Sequence, residues 1–228
     1  MCGIAGWYRR GGRPVPRDAV VGQCDRLRNR GPDDGGYLID GDFGFGMRRL
    51  SIIDIEGGRQ PILTPDGRFA IVFNGEIVNH PALRRELEGS YAFQTDHSDT
   101  ETILAAYVRW GDDAWLKLEG MYAVAIWDKL SKSLTLARDP VGIKPLFFTE
   151  QAGGLAFASE ITALRDLPDH RFDLLERFLR GIFLMKDPVA TGFIRSCFTD
   201  NIRRAQFTGE MQQCLNVFYI LPLFFRVW

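Results

Sequence analysis

Cysteine and histidine are scarce in this sequence of 228 residues, which contains four cysteines and three histidines. The cysteines lie far apart, at positions 2, 24, 197 and 214, and no two have the close spacing of a zinc site or a redox motif. Structural zinc sites use four sulfur or imidazole ligands supplied in closely spaced pairs, so we expect no metal centre. Isolated cysteines are typical of a reducing compartment, and we predict a cytoplasmic protein with free thiols.

The sequence also has little net charge and no long hydrophobic run. Its 28 basic and 29 acidic side chains give a formal net charge of -1, which argues against nucleic acid or an anionic membrane as an obligatory partner. The most apolar segment, residues 215–225, is too short to cross a bilayer and is interrupted by Pro222. The N-terminus lacks the basic and apolar regions of a signal peptide. The length suits one large domain, or one domain and a fragment of another.

Short apolar segments with helices grouped between them predict an α+β fold rather than a regular βαβ alternation. Ser98 is a suitable helix N-cap, and Glu101 follows it with the spacing of a capping box. The predicted helices are residues 16–28, 81–87, 98–110 and 160–164, and the predicted strands are residues 3–8, 37–39, 43–47, 69–73, 121–127, 133–137, 146–148 and 155–158.

The most informative residue is Cys2, which directly follows Met1. If Met1 is removed, Cys2 carries both a thiol and a free α-amine. An α-amine with a pKa of about 8 is a suitable base for activating a thiol near neutral pH. A small buried residue at the start of a strand is the alternative interpretation, because free cysteine often has that role.

Asn74 and Gly75 follow the predicted strand 69–73, at the point where we expect that strand to open into a loop. An Asn side-chain amide and a neighbouring Gly N–H form a suitable pair of donors to an oxyanion. The alternative is an ordinary turn, since Asn-Gly is a common turn dipeptide.

Charged residues elsewhere match the two ends of an amino acid. Arg48 and Arg49 precede an apolar segment, and a guanidinium can bind a ligand carboxylate through two hydrogen bonds; an exposed charge at a strand edge is the alternative. Asp99 lies in the first turn of a predicted helix, where the helix dipole alone favours it. It is also suited to binding an ammonium group. Together with Cys2 and Asn74, these residues indicate a site for an α-amino acid.

The order of motifs along the chain resembles that of a known family, the N-terminal glutaminase domain of glutamine-hydrolysing asparagine synthetases. These domains are class II, or N-terminal nucleophile, glutamine amidotransferases. The resemblance covers residues 2–168 and rests on Met1-Cys2-Gly3-Ile4, Arg30-Gly31-Pro32-Asp33, Arg49-Leu50-Ser51-Ile52-Ile53-Asp54, Asn74-Gly75-Glu76-Ile77, Ser98-Asp99-Thr100-Glu101, Gly120-Met121-Tyr122-Ala123, Arg138-Asp139-Pro140-Val141-Gly142-Ile143-Lys144-Pro145-Leu146 and Ala158-Ser159-Glu160.

The resemblance implies a four-layer αββα sandwich of the N-terminal nucleophile hydrolase type. Arg30 and Asp33 match a motif that lies close to the site in the family, but we expect them to be mainly structural. We expect the same of the segment 138–146 and of Ser159-Glu160. The implied site consists of a nucleophile that uses its own α-amine as base (Cys2), an oxyanion hole (the Asn74 side chain and the Gly75 N–H), a ligand for the glutamine carboxylate (Arg49) and ligands for its ammonium group (Glu76 and Asp99).

The implied reaction is the hydrolysis of glutamine to glutamate and ammonia, which requires no cofactor. Asparagine synthetases continue into a domain that uses ATP and Mg²⁺ and contains an SGGxDS loop, and this sequence lacks that loop. We therefore expect residues 169–228 to be a divergent, truncated or frameshifted tail, and ammonia to pass to a separate synthetase subunit. Two alternatives remain: an amidotransferase serving a sugar or peptide acceptor, and an inactive remnant or regulatory module. The sequence leaves open whether the chain forms homo-oligomers.

Overall fold

The computed structural model describes residues 1–50, 58–151, 153–165 and 167, together with the backbone of residues 224–227. The predicted boundary near residue 168 and nearly all of the predicted tail lie outside these ranges. The helices are α1 (Arg17–Asp25), α2 (His80–Leu87) and α3 (Asp99–Trp110), and the strands are β1 (Gly3–Arg9), β2 (Asp34–Asp40), β3 (Phe43–Arg49), β4 (Ile62–Leu63), β5 (Phe69–Ile77), β6 (Gly120–Asp128), β7 (Ser133–Arg138), β8 (Phe147–Gln151), β9 (Gly154–Ala158) and β10 (Phe224–Val227).

The strands form two five-stranded sheets in which every pair of neighbours is antiparallel. The first sheet has the order β2-β3-β1-β9-β8, with β1 at its centre. The second has the order β10-β7-β6-β5-β4. On the side away from β6, β5 pairs with the two-residue strand β4. Among the residues that the structure describes, no strand pairs with the last residues of β5 on that side.

The two sheets pack face to face around one apolar core, and helices cover their outer faces. Ile4 and Phe45 of the first sheet meet Val72 and Trp127 of the second in the core between the sheets. On the outer face of the first sheet, Val20 and Cys24 of α1 pack against Ala5 and Trp7, while Ile103 and Leu104 of α3 pack against Ile71 and Phe73 of the second sheet. The predicted four-layer αββα sandwich is confirmed.

The sequence pattern located most elements but misplaced several of their ends. β5 continues to Ile77, so Asn74 and Gly75 lie inside a strand and the predicted opening into a loop after Phe73 was wrong. The helix predicted for residues 16–28 ends at Asp25, and the segment Ile161–Leu164 is a 3₁₀ turn. β4 was not predicted, because two residues are too few to show the alternation that marks a strand.

Candidate active site

Cys2 stands immediately before the central strand of the first sheet, where two other parts of the chain hold the main chain in place. Its carbonyl accepts a hydrogen bond from Nε of Arg30 at 3.0 Å. Two residues later, the N–H of Ile4 donates to Ser159 Oγ at 3.0 Å, and its carbonyl accepts from the Ser159 N–H at 2.8 Å. The Cys2 thiol is half-buried, and its Sγ lies 3.9 Å from the carbonyl oxygen of Leu50.

Arg30 joins two motifs at this point. Its guanidinium also pairs with Glu160 at 3.3 Å, so the Arg30-Gly31-Pro32-Asp33 and Ala158-Ser159-Glu160 motifs meet at the start of β1. Both motifs were predicted to be mainly structural. In the structure, both motifs hold the backbone at Cys2 and at the start of β1.

Adjacent arginines at the end of β3 point to opposite faces of the first sheet, as alternation along a strand requires. Arg48 is bonded to the loop that follows α1, through hydrogen bonds to the carbonyl oxygens of Gly31 at 3.0 Å and Pro32 at 3.1 Å. Arg49 is only 6% exposed and faces a cavity shared with Cys2. Of the two arginines, Arg49 is therefore the one that lines the cavity. Residues 51–57, which carry the rest of its motif, lie outside the described ranges.

Asn74 faces the space between the sheets because the even-numbered residues of β5 share that direction, as Ala70 and Val72 do in the core. The residue is 2% exposed, and its side-chain nitrogen has no hydrogen-bond partner within the described residues. A buried amide without a partner is costly unless a ligand satisfies it. This donor lies on the wall of the cavity that also contains the Cys2 thiol.

The N–H of Gly75 points to the open edge of β5. Tyr122, its partner in register on β6, turns both main-chain polar groups the other way: its N–H donates to Asp139 Oδ2 at 3.2 Å, and its carbonyl accepts from the Asp139 N–H at 2.9 Å. Gly75 and Tyr122 are therefore a pair without mutual hydrogen bonds, so the Gly75 N–H faces away from β6. A Cβ on residue 75 would lie 2.2 Å from the carbonyl oxygen of Met121, so only glycine fits this position.

The N–H groups on either side of Gly75 are both occupied. Phe73 donates to Oε1 of Gln60 at 2.6 Å, and Ile77 donates to Oδ2 of Asp99 at 3.3 Å. Among these three N–H groups along the edge, that of Gly75 is the one without a protein acceptor in the described ranges. Asn74 and Gly75 thus present two free donors, one on the face of the strand and one on its edge.

Asp99 occupies the first turn of α3, and Ile77 brings its carboxylate to the end of β5. Burial raises the pKa of Asp99, and the nearby carboxylate of Glu76 adds to that rise. The N–H of Ile77 and the nearby His80 oppose the rise only in part. A carboxylate held in this way gains from an incoming cation, because a positive charge restores the preference for the ionised form.

The loop before α3 is fixed by Glu101, which is fully buried. Its carboxylate accepts hydrogen bonds from the N–H groups of Gln94 and Thr95 at 2.7 and 2.8 Å. Ser98 Oγ accepts from the Glu101 N–H at 3.3 Å, which confirms the predicted N-cap. The Glu101 side chain binds the preceding loop rather than the Ser98 N–H, so the capping box is only half formed.

All six residues that the sequence analysis assigned to the site line one cavity of about 660 Å³. Other residues on its wall were not assigned to the site, although several of them belong to the motifs quoted above: Met1, Leu50, Ile77, Ser98, Thr100 and Lys144. The cavity is lined by Met1, Cys2, Arg49, Leu50, Gly58, Gln60, Phe73, Asn74, Gly75, Glu76, Ile77, Val78, His80, His97, Ser98, Asp99, Thr100 and Lys144.

Neither a metal cluster nor a membrane helix occurs in the part of the chain that the structure describes. No three His, Cys, Asp or Glu side chains gather there in a way that could hold a metal ion. None of the helices found there is long and apolar enough to cross a membrane.

The αββα sandwich, with Cys2 just before its central strand, is a fold shared with a solved amidotransferase structure. The sequence pattern of the family described as "Glutamine amidotransferase domain" matches residues 1–207, and the chain belongs to that family. The chain is 45% identical over 168 residues to asparagine synthetase [glutamine-hydrolyzing] 1 of Bacillus subtilis, an alignment covering 72% of this chain and 26% of that protein. It is 48% identical over 161 residues to a putative asparagine synthetase of Mycobacterium tuberculosis, an alignment that covers 65% of this chain and 24% of that protein.

The chain therefore spans about a quarter of the length of the curated relatives it matches. Among solved structures, it resembles the glutamine phosphoribosylpyrophosphate amidotransferase of B. subtilis with a TM-score of 0.61 and 21% identity, over 72% of this chain and 43% of that one. This second likeness is one of fold.

Proposed function

We propose that this chain hydrolyses glutamine to glutamate and ammonia with Cys2 as the nucleophile, as the glutaminase part of an asparagine synthetase. The observation that carries the proposal is a pair of donors on the cavity that contains the Cys2 thiol. The buried Asn74 amide and the edge-facing Gly75 N–H have no acceptor among the residues that the structure describes. Membership of the glutamine amidotransferase family and the similarity to asparagine synthetases support glutamine as the substrate and asparagine as the end product.

The two ends of glutamine match the charges around the cavity. Arg49 is the ligand proposed for the α-carboxylate, which a guanidinium binds through two parallel hydrogen bonds. Asp99 and Glu76 are the ligands proposed for the α-ammonium group. With both charges held, the side-chain amide would reach toward Cys2, whose main chain is fixed by Arg30 and Ser159.

The chemistry begins when the α-amine of Cys2 takes the thiol proton and the sulfur attacks the amide carbon. The carbonyl oxygen becomes an oxyanion that accepts hydrogen bonds from the Asn74 amide and the Gly75 N–H. When the intermediate collapses, the ammonium formed at the α-amine returns its proton to the leaving nitrogen, and ammonia departs. A γ-glutamyl thioester remains; water hydrolyses it, and glutamate is released with regeneration of the thiol.

This mechanism requires the removal of Met1, since the amine of Cys2 is otherwise part of a peptide bond. Met1 is 63% exposed, and the residue after it is small. Its removal would free the amine at the wall of the cavity, where Met1 now lies.

The fate of the ammonia lies beyond these residues. We propose that a synthetase part, with its ATP and Mg²⁺, accepts the ammonia, either as a separate subunit or as a continuation of a longer chain. The glutaminase step itself would use no cofactor. We place this reaction in the cytoplasm, because the cysteines within the described residues, Cys2 and Cys24, are free thiols.

The test is an assay of ammonia and glutamate release by the purified chain, with the state of Met1 read from its intact mass. Glutamine turnover by the wild type, lost in Cys2→Ala without a change in melting temperature, is the expected result. Turnover by Cys2→Ala near the wild-type rate overturns the nucleophile, and no turnover by a folded wild type lacking Met1 favours the inactive remnant. Adding a synthetase with aspartate and ATP, or instead a sugar or peptide acceptor, identifies which acceptor stimulates turnover.

A glutamine-derived diazoketone, which alkylates an activated thiol, provides an independent check of the nucleophile. Burial raises the pKa of Cys24 to about 12, so its thiol stays protonated and unreactive near neutral pH. The expected product carries a single adduct, located at Cys2 by peptide mapping and suppressed by excess glutamine. An adduct at another cysteine would contradict the assignment.

A further inference from the structure

Gln60 lies on the wall of the cavity at the point where the second sheet gives up its regular pairing. β4 pairs with β5 through Ile62 opposite Ile71 and Leu63 opposite Ala70. Continued by two residues, the same register places Gln60 opposite Phe73. At this position a regular sheet would satisfy the Phe73 N–H with the main-chain carbonyl of residue 60.

The main chain does not provide that carbonyl. The carbonyl oxygen of Gln60 instead lies against β2 of the other sheet, so close to Gly36 that a Cβ there would be 1.9 Å from it. The side-chain oxygen takes its place, and Oε1 of Gln60 accepts from the Phe73 N–H at 2.6 Å. One glutamine side chain thus ends the hydrogen bonding of the sheet, immediately before Asn74 and Gly75.

The other end of the same amide reaches α3. Nε2 of Gln60 donates to Oγ1 of Thr100 at 3.1 Å, and Thr100 is 3% exposed and adjacent to Asp99. The orientation of the amide is fixed by chemistry, because only its oxygen can accept from the Phe73 N–H. A single planar group therefore spans from the strand that carries the oxyanion donors to the helix turn that carries Asp99.

We propose that Gln60 is a positioning residue that fixes the spacing between the oxyanion donors of β5 and the ammonium ligand on α3. The proposal rests on the glutaminase function proposed above. Glutamine has to reach both groups at once, its ammonium at Asp99 and its carbonyl oxygen at Asn74 and Gly75. The direct hydrogen bond between these elements in the described residues, from the Ile77 N–H to Asp99, is long at 3.3 Å and uses the carboxylate that the ammonium needs. Gln60 supplies a link that leaves Asp99 available to the substrate.

The test removes the two hydrogen bonds while keeping the bulk of the side chains. Gln60→Met loses both bonds, Thr100→Val loses only the link to α3, and Thr100→Ser keeps the accepting hydroxyl. The matched control is Gln23→Met, since Gln23 is a glutamine with 2% exposure on α1, on the outer face of the other sheet. Each variant of the full chain is measured for kcat and KM with glutamine, for melting temperature, and for the rate at which iodoacetamide alkylates Cys2.

We expect Gln60→Met to lower kcat/KM by on the order of tenfold to a hundredfold, because small displacements of reacting groups are costly in rate. Thr100→Val should show a smaller loss, Thr100→Ser should restore it, and Gln23→Met should match the wild type. Iodoacetamide needs neither the oxyanion donors nor Asp99, so its reaction with Cys2 should keep the wild-type rate. The double variant Gln60→Met with Thr100→Val should be no worse than Gln60→Met alone, because both changes break the same link.

Wild-type kcat/KM in Gln60→Met overturns this proposal and leaves the glutaminase function intact. A loss of activity in proportion to a fall in melting temperature, with altered alkylation of Cys2, also overturns it, because Gln60 would then only support the fold. If Gln60→Met does not fold, the comparison of Thr100→Val with Thr100→Ser tests the proposal. Equal activities of these two variants would contradict the link between Gln60 and α3. Absence of turnover in the wild type identifies a failure of the proposed function instead.

Discussion

Arg30 holds the carbonyl of Cys2 through a single hydrogen bond of 3.0 Å from Nε, across a separation of 28 residues in sequence. The guanidinium is largely enclosed, and the same group also pairs with Glu160. In the proposed mechanism Met1 is removed and Cys2, the nucleophile, is left with no preceding residue to hold it. In this protein a distant side chain takes over that task, and the consequences of removing it can be measured.

Arg30→Met keeps much of the aliphatic stem and removes the hydrogen bond to Cys2. We expect kcat to fall by on the order of tenfold or more, with less change in KM, because the misplaced thiol remains beside an intact glutamine site. The control is Glu160→Gln, which weakens the ion pair and leaves the bond to Cys2. Steady-state kinetics with glutamine check the prediction, and equal losses in the two variants would show that the ion pair is the important contact.

Asn74→Ala should separate activity from stability. The side-chain nitrogen has no partner in the described structure, so its loss removes no protein hydrogen bond. Removing one oxyanion donor costs about 3 kcal/mol of transition-state stabilisation, which lowers kcat by on the order of a hundredfold. We expect this loss with a melting temperature equal to or above that of the wild type, measured by calorimetry without substrate. A clear fall in melting temperature would mean that the amide has a structural partner.

Gly75→Ala should damage the fold itself. The added Cβ would lie 2.2 Å from the carbonyl oxygen of Met121, which is main chain and cannot rotate away. We expect the free energy of unfolding to fall by about 3 kcal/mol, as in other overpacked positions. Gly89→Ala is the matched control, because a Cβ there meets no atom within 4 Å. Urea unfolding of the two variants gives the comparison, and similar midpoints would refute the steric argument.

Glutamine binding should weaken in acid sooner than an ordinary carboxylate would allow. Burial raises the pKa of Asp99, so in the free protein it gains a proton at a higher pH than the usual value of about 3.9. Because only the ionised form attracts an ammonium group, KM should rise as pH falls toward this raised value. Bound substrate favours ionisation and should shift the transition in kcat to lower pH. Asp99→Asn should have a high KM with little dependence on pH over this range, and a profile like that of the wild type would exclude Asp99 as the group that titrates.

The sequence was sufficient for the layers of the fold and for naming six residues that the structure brings to one cavity, because each depends on local pattern or on short motifs. The capping-box pattern is an example of a partial prediction. It predicted Ser98 as the N-cap, but it did not predict that the Glu101 side chain binds the preceding loop. Asn74 and Gly75 were expected where the strand opens into a loop because the apolar segment ends at Phe73, but pairing with β6 carries the strand on to Ile77. Gln60 gave no signal at all. Its importance comes from the two elements that happen to meet at its amide, which no local pattern records.

The shortness of β4 has a consequence for how such a site can evolve. If the strand were extended backwards in the register it already has, Gly58 would come opposite Gly75, and its carbonyl could accept the N–H that now faces the cavity. The sheet would gain hydrogen bonds and lose a donor to the substrate. Selection for stability and selection for the proposed turnover would therefore pull this edge in opposite directions, and we expect variants that bring residues 58–61 into regular strand to gain thermal stability and to lose the release of ammonia.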